Sequence, residues 1–234
     1  PVIFDLEDSI APEAKPQARD MACAAVKAGG YGPREVIVRI NGLGSDFCGT
    51  DIAAVAKSGA DAVCVPKVEH AGALAAIRGM MKDAGAPANM SIWAMIETPL
   101  AIMNLHAIAA ACPGDTYPVA VLLLGTNDLV KDSRALATPD RWTVLPALTQ
   151  CVMAARAYGI DILDGVYNDF RDEEGLRREC RQGRELGMDG KTLIHPSQIA
   201  VANEVFPPPD DEIAEARAII AAFEQPENKG KGVI

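Results

Sequence analysis

Short apolar or β-branched runs recur along this chain at a nearly constant interval, and that recurrence limits the fold more than any other feature. They cover residues 2–5, 36–40, 62–65, 92–96, 119–124, 160–164 and 192–195, with starts 26 to 41 residues apart. Between them lie Ala-rich segments with apolar residues three and four apart, which predict helices over 71–84, 99–111, 141–158 and 173–186. Strand–helix alternation at about 30 residues is the mark of βαβ units and a parallel sheet. Residues 119–124 (VAVLLL) are apolar throughout, as a strand covered on both faces requires.

Two architectures compete: a doubly wound open sheet and an eight-stranded barrel. Neither GxGxxG nor GxxxxGK[ST] follows any of the runs, which removes the main support for a nucleotide-binding open sheet. Seven units plus one before Pro1 make a (β/α)8 barrel of ordinary length, about 250 residues. The expected division is a barrel over 1–206 and a C-terminal part over 207–234. That part holds a helix at 210–224 after Pro207-Pro208-Pro209, and Gly230-Lys231-Gly232 as the start of a linker. The chain opens on Pro1 and enters a strand at once, so the expectation is a fragment of something longer.

Composition narrows the partners. The net charge is −10, which argues against a nucleic-acid backbone, and aromatics at 5% leave no stacking platform for single strands. No apolar stretch approaches the 18 residues of a membrane span, and no secretory signal is visible. The six cysteines form no CxxC pair; Cys64 lies in an apolar run and reads as a small core residue. The expectation is a protein of the reducing cytoplasm, with no nucleic-acid and no membrane partner.

The ends of the strands carry the chemistry. The first ends in Asp5-Leu6-Glu7-Asp8 and the second in Arg39-Ile40-Asn41; Lys67 and Glu69, Glu97-Thr98-Pro99, Asn127-Asp128, Asp164 and His195 follow at the others. In a parallel barrel all these ends share one face, the one that holds active sites. The bland alternative is that each merely caps the next helix, as Asp8 or Ser9 would. Glu97 and Asp128 are the sharpest pair: two carboxylates after neighbouring buried strands suit Mg²⁺, which takes one or two protein carboxylates and completes its shell with water and substrate. Zn²⁺ suits the chain less, because His70, His106 and His195 are scattered.

Arg39 shares a strand face with Ile37 and Asn41, and its fork matches a substrate carboxylate; the alternative is an ion pair with Asp5 or Glu7. Lys67 is a rival centre, since a Lys with a depressed pKa forms a Schiff base with a keto substrate. Its alternative is a salt bridge to Glu69 or Asp5. Lys191 is a second such candidate, placed near the start of the last strand, and His195 is a candidate base.

Six motifs together resemble one known family. They are Asp5-Leu6-Glu7-Asp8-Ser9 with Lys15 and Arg19; Val38-Arg39-Ile40-Asn41; Val65-Pro66-Lys67-Val68-Glu69; Ile96-Glu97-Thr98-Pro99; Leu124-Gly125-Thr126-Asn127-Asp128-Leu129; and Gly190-Lys191-Thr192-Leu193-Ile194-His195-Pro196. In order and spacing they are similar to the citrate lyase β-subunit-like branch of the HpcH/HpaI aldolase superfamily, over almost the whole chain. The resemblance implies a (β/α)8 barrel and a Mg²⁺-dependent carbon–carbon lyase, as a homotrimer or hexamer. It assigns the metal to Glu97 and Asp128, and catalysis to Arg39 with the acidic Glu7 and Asp8. Substrate contacts fall to Arg39, Asp5, Lys67 and Asn127.

The implied substrates are a 3-hydroxyacyl thioester of the malyl-, citramalyl- or citryl-CoA type, or an oxo acid with an acyl-CoA in the reverse direction. CoA-independent aldolase, thioesterase or malate synthase-like activity, and a silent binding subunit, remain as alternatives. The family pattern also places a first strand before Pro1 and an acidic residue in a segment after Ile234, which leaves the general base unassigned in this sequence.

Overall fold

The computed structural model describes residues 1–228 and 230–233. Seven strands form one sheet: β1 (Val2–Asp5), β2 (Val36–Arg39), β3 (Ala62–Val65), β4 (Ser91–Ile96), β5 (Val119–Leu124), β6 (Asp161–Asp164) and β7 (Gly190–Lys191). Every neighbouring pair is parallel, and the order in the sheet is the order in the chain.

That strict order has a consequence. Crossovers between parallel strands are right-handed, so a sheet that never reverses its order sends every connecting helix to the same face. The other face must then find cover by curling on itself. Side chains of alternate parity divide accordingly. Val38, Val63, Val65, Ala94, Ile96, Leu122 and Leu124 belong to the large cluster packed with the helices. Ile37, Ala62, Cys64, Trp93, Met95, Val121 and Leu123 form a separate buried cluster on the concave face. The result is a curled, side-chain-filled parallel sheet. Among the described residues β1 and β7 do not pair, so the expected eight-stranded barrel is present here as seven strands of a partial barrel.

The helices are α1 (Lys15–Ala28), α2 (Cys48–Val55), α3 (Ala71–Asp83), α4 (Pro99–Met103), α5 (Leu105–Ala110), α6 (Thr126–Asp132), α7 (Leu145–Ala157), α8 (Glu173–Leu186), α9 (Gln198–Val205) and α10 (Asp210–Phe223). Three of the expected elements differ. The helix predicted over 99–111 is broken at Asn104, whose side-chain N–H donates to Glu69 O at 2.8 Å. The helix predicted from 141 begins at Leu145, because Arg141 sits at a left-handed φ of 54° that no helix accepts. The last strand is Gly190–Lys191 and not 192–195. The Ile194 and His195 N–H groups donate to the side-chain oxygen of Gln198 (3.0 and 3.2 Å), where a strand would donate to a neighbour. Lys191 is therefore at the end of its strand, not the start.

α10 buries no residue. The expected linker, Gly230-Lys231-Gly232, carries no helix or strand; Lys229 and Ile234, within the expected 207–234 part, lie outside the described residues. All six cysteines are buried and free. Among the described residues no helix is long and apolar enough to cross a membrane.

Beneath the C-terminal ends of β1 and β2 runs a buried polar network. Lys15 Nζ donates to Leu6 O (2.9 Å), Glu7 O (2.8 Å) and Asn41 Oδ1 (2.6 Å). Asn41 Nδ2 donates to Leu6 O and to Asp51 Oδ2, and Asp51 also accepts from Asn41 N and from Arg19 Nε at 2.6 Å. α1, α2 and two strand ends thus meet on one carboxylate that is 0% exposed. Removing one partner of a buried ion pair leaves the other charge unmatched and costs about 3–5 kcal/mol. Asp51→Ala is expected to lose about that much in urea unfolding, a loss far above that of an exposed Asp→Ala control such as Asp20→Ala.

Candidate active site

The site lies along the C-terminal edge of the sheet. β1 delivers Asp5, Glu7 and Asp8; β2 delivers Arg39; the residues after β3, β4 and β5 are Lys67, Glu97, and Asn127 with Asp128. Helix capping does not explain them. The helix caps nearby are His70, Thr98 and Asp172, each accepting from a backbone N–H in the first turn. Asp128 sits inside the first turn of α6, whose N-cap is Gly125.

Asp5 and Arg39 are direct partners in the β1–β2 register. Arg39 Nε and Nη2 each donate to one Asp5 oxygen at 2.6 Å. Asp5 also accepts from the Glu7 and Ser9 N–H groups (2.9 and 3.1 Å), which folds the following loop over it. Burial works against the Asp5 charge, but the hydrogen bonds from Arg39 and Ser9 outweigh it and hold the carboxyl down to about 2. The alternative partner for Arg39 is thus the one it has. Its third nitrogen, Nη1, lies 3.1 Å from Glu7 Oε2 and 4.0 Å from Asp8 Oδ2. Glu7 Oε2 is buried and, despite that proximity, makes no hydrogen bond. Burial, reinforced by repulsion from Asp8 and Asp5, raises the Glu7 pKa above the usual range.

Glu97 is 4% exposed. Its Oε1 accepts from the Lys67 backbone N–H at 2.7 Å; among the described residues Oε2 accepts nothing. Burial raises its pKa to about 7, with repulsion from Glu7 and Asp128 adding to it. A Cβ at residue 125 would collide with the Glu97 carboxylate, so Gly125 is required for the carboxylate to fit. Lys67 has φ 52°, a left-handed backbone that favours glycine. Its ammonium reaches Glu7 Oε1 (3.6 Å) and Asp128 Oδ2 (3.8 Å), not Glu69 or Asp5 as expected. Partial burial would lower the Lys67 pKa, but Glu7 and Asp128 outweigh it and raise it. That direction is opposite to what a Schiff-base lysine needs.

Lys191 and His195 stand apart. Lys191 Nζ is fully buried and donates to Asp164 (3.0 Å) and Glu179. His195 is exposed, bonded to Ser197 Oγ at 2.8 Å and stacked on Phe170 with ring centroids 4.5 Å apart. Asn127 exchanges amide hydrogen bonds with Asn168.

Among the described residues no three His, Cys, Asp or Glu side chains are grouped as metal ligands. A hard cation needs fewer: Glu97, whose Oε2 accepts nothing among the described residues, and the half-buried Asp128 on the neighbouring strand end fit Mg²⁺ and its need for only one or two carboxylates. Sequence reasoning missed Asp51 and the left-handed Lys67. Asp51 sits in Cys48-Gly49-Thr50-Asp51, which reads as a turn, and nothing in Pro66-Lys67-Val68 signals a positive φ.

A singly wound parallel sheet with carboxylates and one arginine converging on its C-terminal edge defines a barrel-type α/β enzyme. The model of the HpcH/HpaI aldolase/citrate lyase family matches residues 1–196, and the chain belongs to that family of carbon–carbon lyases. It is 44% identical over 233 residues to a (3S)-malyl-CoA thioesterase of Cereibacter sphaeroides, covering 99% of this chain and 78% of that one. It is 37% identical over 238 residues to the citrate lyase subunit beta of Leuconostoc mesenteroides subsp. cremoris, covering 100% and 78%. Among solved structures, RipC from Yersinia pestis superposes with TM-score 0.77 at 30% identity, covering 90% of both chains. CitE from Mycobacterium tuberculosis, in complex with magnesium, acetoacetate and coenzyme A, superposes with TM-score 0.74 at 30% identity, covering 95% of this chain and 78% of that one.

The folded Glu97 keeps its proton up to about pH 7, whereas a free glutamate loses it near 4.5. Native protein therefore binds more protons between those values, and stability falls as pH rises through them, by up to about 3 kcal/mol. In metal-free melting curves, Glu97→Gln should remove that loss. The variant is expected to gain on wild type from pH 5 to about pH 7 and to level off above that.

Proposed function

We propose that this chain cleaves, or in reverse forms, the carbon–carbon bond of a 3-hydroxyacyl thioester, with Mg²⁺ held by Glu97 and Asp128. The observation that carries the reading is the pair of carboxylates on adjacent strand ends, one with an oxygen free of hydrogen bonds, facing an arginine whose Nη1 is not committed to Asp5. The magnesium and coenzyme A bound by the M. tuberculosis relative support it.

When bound, Mg²⁺ supplies Lewis-acid polarisation of the substrate oxygen and a template for the oxo-acid end. The chain's own groups do the rest. Asp5 fixes the Arg39 guanidinium, and Arg39 Nη1 donates to the substrate carboxylate and to the oxygen that gathers charge. Lys67, 48% exposed at its side chain, adds a mobile ammonium, and Asn127 a polar contact. Glu7 Oε2 takes the proton of the substrate hydroxyl, with Asp8 keeping that carboxyl basic by repulsion. The C–C bond then breaks, its electron pair passes to the thioester fragment as an enolate, and a proton returns to that carbon. The products are an oxo acid and an acyl thioester. The 44% identity to a malyl-CoA thioesterase favours a second reading, in which water hydrolyses the thioester in the same site. In this reading an eighth strand fills the gap between β7 and β1, and residues 207–234 form a separate C-terminal part.

Glu97→Ala and Asp128→Ala are each expected to abolish calorimetric binding of Mg²⁺ with an oxo acid while the protein stays folded. Unchanged binding in both would remove the metal assignment. Losing a donor to developing charge typically costs about 10²–10³ in rate, and Lys cannot reproduce the guanidinium fork. Arg39→Lys should therefore lose at least ~10² in kcat, with Mg²⁺ affinity in the absence of substrate little changed. If Arg39 serves only as the partner of Asp5, turnover survives and the melting temperature alone falls.

A further inference from the structure

Asp128 enters the site from the first turn of α6, and its own side chain does little to fix it there. Its ionic partner is Lys67, 3.8 Å away and half exposed, and among the described residues it accepts no hydrogen bond. An exposed ion pair of that length orients little. The place of the carboxylate is therefore set by the backbone that carries it, Gly125-Thr126-Asn127-Asp128. That backbone is wedged between the ends of β4 and β6. On the β4 side the Gly125 N–H donates to Ile96 O at 3.1 Å, and a Cβ at residue 125 would fall on the Glu97 carboxylate. On the β6 side a Cβ at residue 165 would stand 2.5 Å from Thr126 Oγ1, 3.1 Å from Thr126 Cγ2 and 2.9 Å from Leu124 O. Neither glycine has a positive φ, so what each supplies is space.

Of the two sides of this wedge, Gly165 is the less able to move. The Asp164 carboxylate before it is buried and accepts four hydrogen bonds: from the Gly165 N–H at 2.8 Å, from Arg141 Nη1 at 2.7 and 2.9 Å, and from Lys191 Nζ at 3.0 Å. Arg141 and Lys191 also meet Glu179, so two cations and two carboxylates form a neutral cluster. The Asp164 carbonyl accepts from the N–H and the hydroxyl of Thr192, both at 3.0 Å. Gly183 of α8 lies against the same carboxylate, where a Cβ would be 3.2 Å from Oδ2. The end of β6 is thereby tied to β7, to α8 and to the loop before α7. Displacing it would strand buried charges, which is costly. α6 is seven residues long, and the Asn127 and Asp128 side chains of its first turn have no comparable ties. Added bulk at residue 165 would be relieved by a tilt of that turn.

We propose that Gly165, clamped by Asp164, is a positioning residue: through Thr126 it sets the first turn of α6 and so the placement of Asp128 against Glu97 that lets both hold one divalent cation. The metal part of this rests on the reading given above. Mg²⁺ demands near-ideal geometry at short distances, and ligands of such a site must be held to within about half an ångström. A side chain with no hydrogen bond of its own meets that demand only if its backbone is immobile. The glycine at 165 and the buried cluster behind it provide the immobility without touching the cation.

A mutant cycle of Gly165→Ala and Thr126→Ala tests this, with Gly79→Ala as control, because a Cβ at residue 79 meets nothing. Calorimetry reads Mg²⁺ binding in the presence of glyoxylate, and metal-free crystal structures read the place of Asp128 against Glu97. Gly165→Ala is expected to weaken Mg²⁺ about tenfold or more, the usual effect of disturbing a support behind a metal ligand, and to move Asp128 by about half an ångström or more. Adding Thr126→Ala removes Oγ1 and Cγ2 from the contact and is expected to recover most of both. Thr126→Ala alone and the control stay near wild type. Recovery by a residue that touches no cation is a coupling that a general loss of stability does not produce. Thr126→Ile enlarges the same contact from the other side and takes the place of Gly165→Ala if that variant does not fold. Unchanged Mg²⁺ affinity, an unmoved Asp128, or no recovery in the double variant overturns the proposal. Wild-type protein that binds no Mg²⁺ with glyoxylate removes the metal reading instead, and the displacement of Asp128 in the crystals then decides the role of Gly165.

Discussion

Carboxylates gathered at one edge of a sheet repel one another, and the surroundings of the C-terminal strand ends are arranged to hold them there. Asp5, Glu7, Glu97 and Asp128 arrive from three different strand ends, and among the described residues the side-chain cations that stand among them are Arg39 and Lys67. The cost is visible in protonation: burial and mutual repulsion lift Glu7 and Glu97, while Asp5 escapes because Arg39 donates two hydrogen bonds to it. One carboxylate is spent on orienting the arginine, and the others are left under-neutralised. Perturbed acids of this kind at a strand-end cleft are typical of functional sites.

Holding such groups in place requires rigid supports that carry no chemistry themselves. On one side Lys15 binds the Leu6 and Glu7 carbonyls and Asn41, and Asp51 anchors Asn41 and Arg19. The backbone that carries Glu7 is thereby fixed from below. On the other side Asp164, at the end of β6, gathers Arg141 and Lys191 and its own Gly165 N–H. Between them Gly125 yields the space that Glu97 occupies, and Lys67 accepts an unfavourable φ to point its N–H at the same carboxylate. Backbone strain of this sort costs on the order of 1–3 kcal/mol and persists only when the surroundings enforce it.

The strand–helix period made most of this fold legible in the sequence, because the central parallel strands are buried and apolar on both faces. The seventh strand was not legible for the converse reason. Gly190–Lys191 has no strand-like composition, whereas the β-branched stretch after it has, and only the Gln198 side chain, four residues from Ile194, decides between them. The positions of the candidate site residues could be read because a parallel sheet puts all its strand ends together. Their partners could not. Arg39 meets Asp5 through cross-strand register, and Lys67 meets Glu7 and Asp128 through a φ that its neighbours do not encode. Asp51 and Arg141 depend on packing between segments ten or more residues apart, which no local pattern reveals.

The charge imbalance also sets what such a site accepts. Five acids, Asp5, Glu7, Asp8, Glu97 and Asp128, face Arg39 and Lys67, so the cluster lacks positive charge even when Glu97 holds a proton. A third monovalent side chain would have to be buried to help, at the desolvation cost that keeps Lys and Arg out of protein interiors. A small divalent ion delivers more charge in less volume and keeps part of its water shell. On the reading proposed above, Glu97 would hold such an ion as a carboxylate, because a ligating carboxylate must be ionised. The elevated Glu97 pKa and the sparse cations then have one cause: acids are kept close together with too little positive charge among them, and a divalent ion held by Glu97 and Asp128 would supply it.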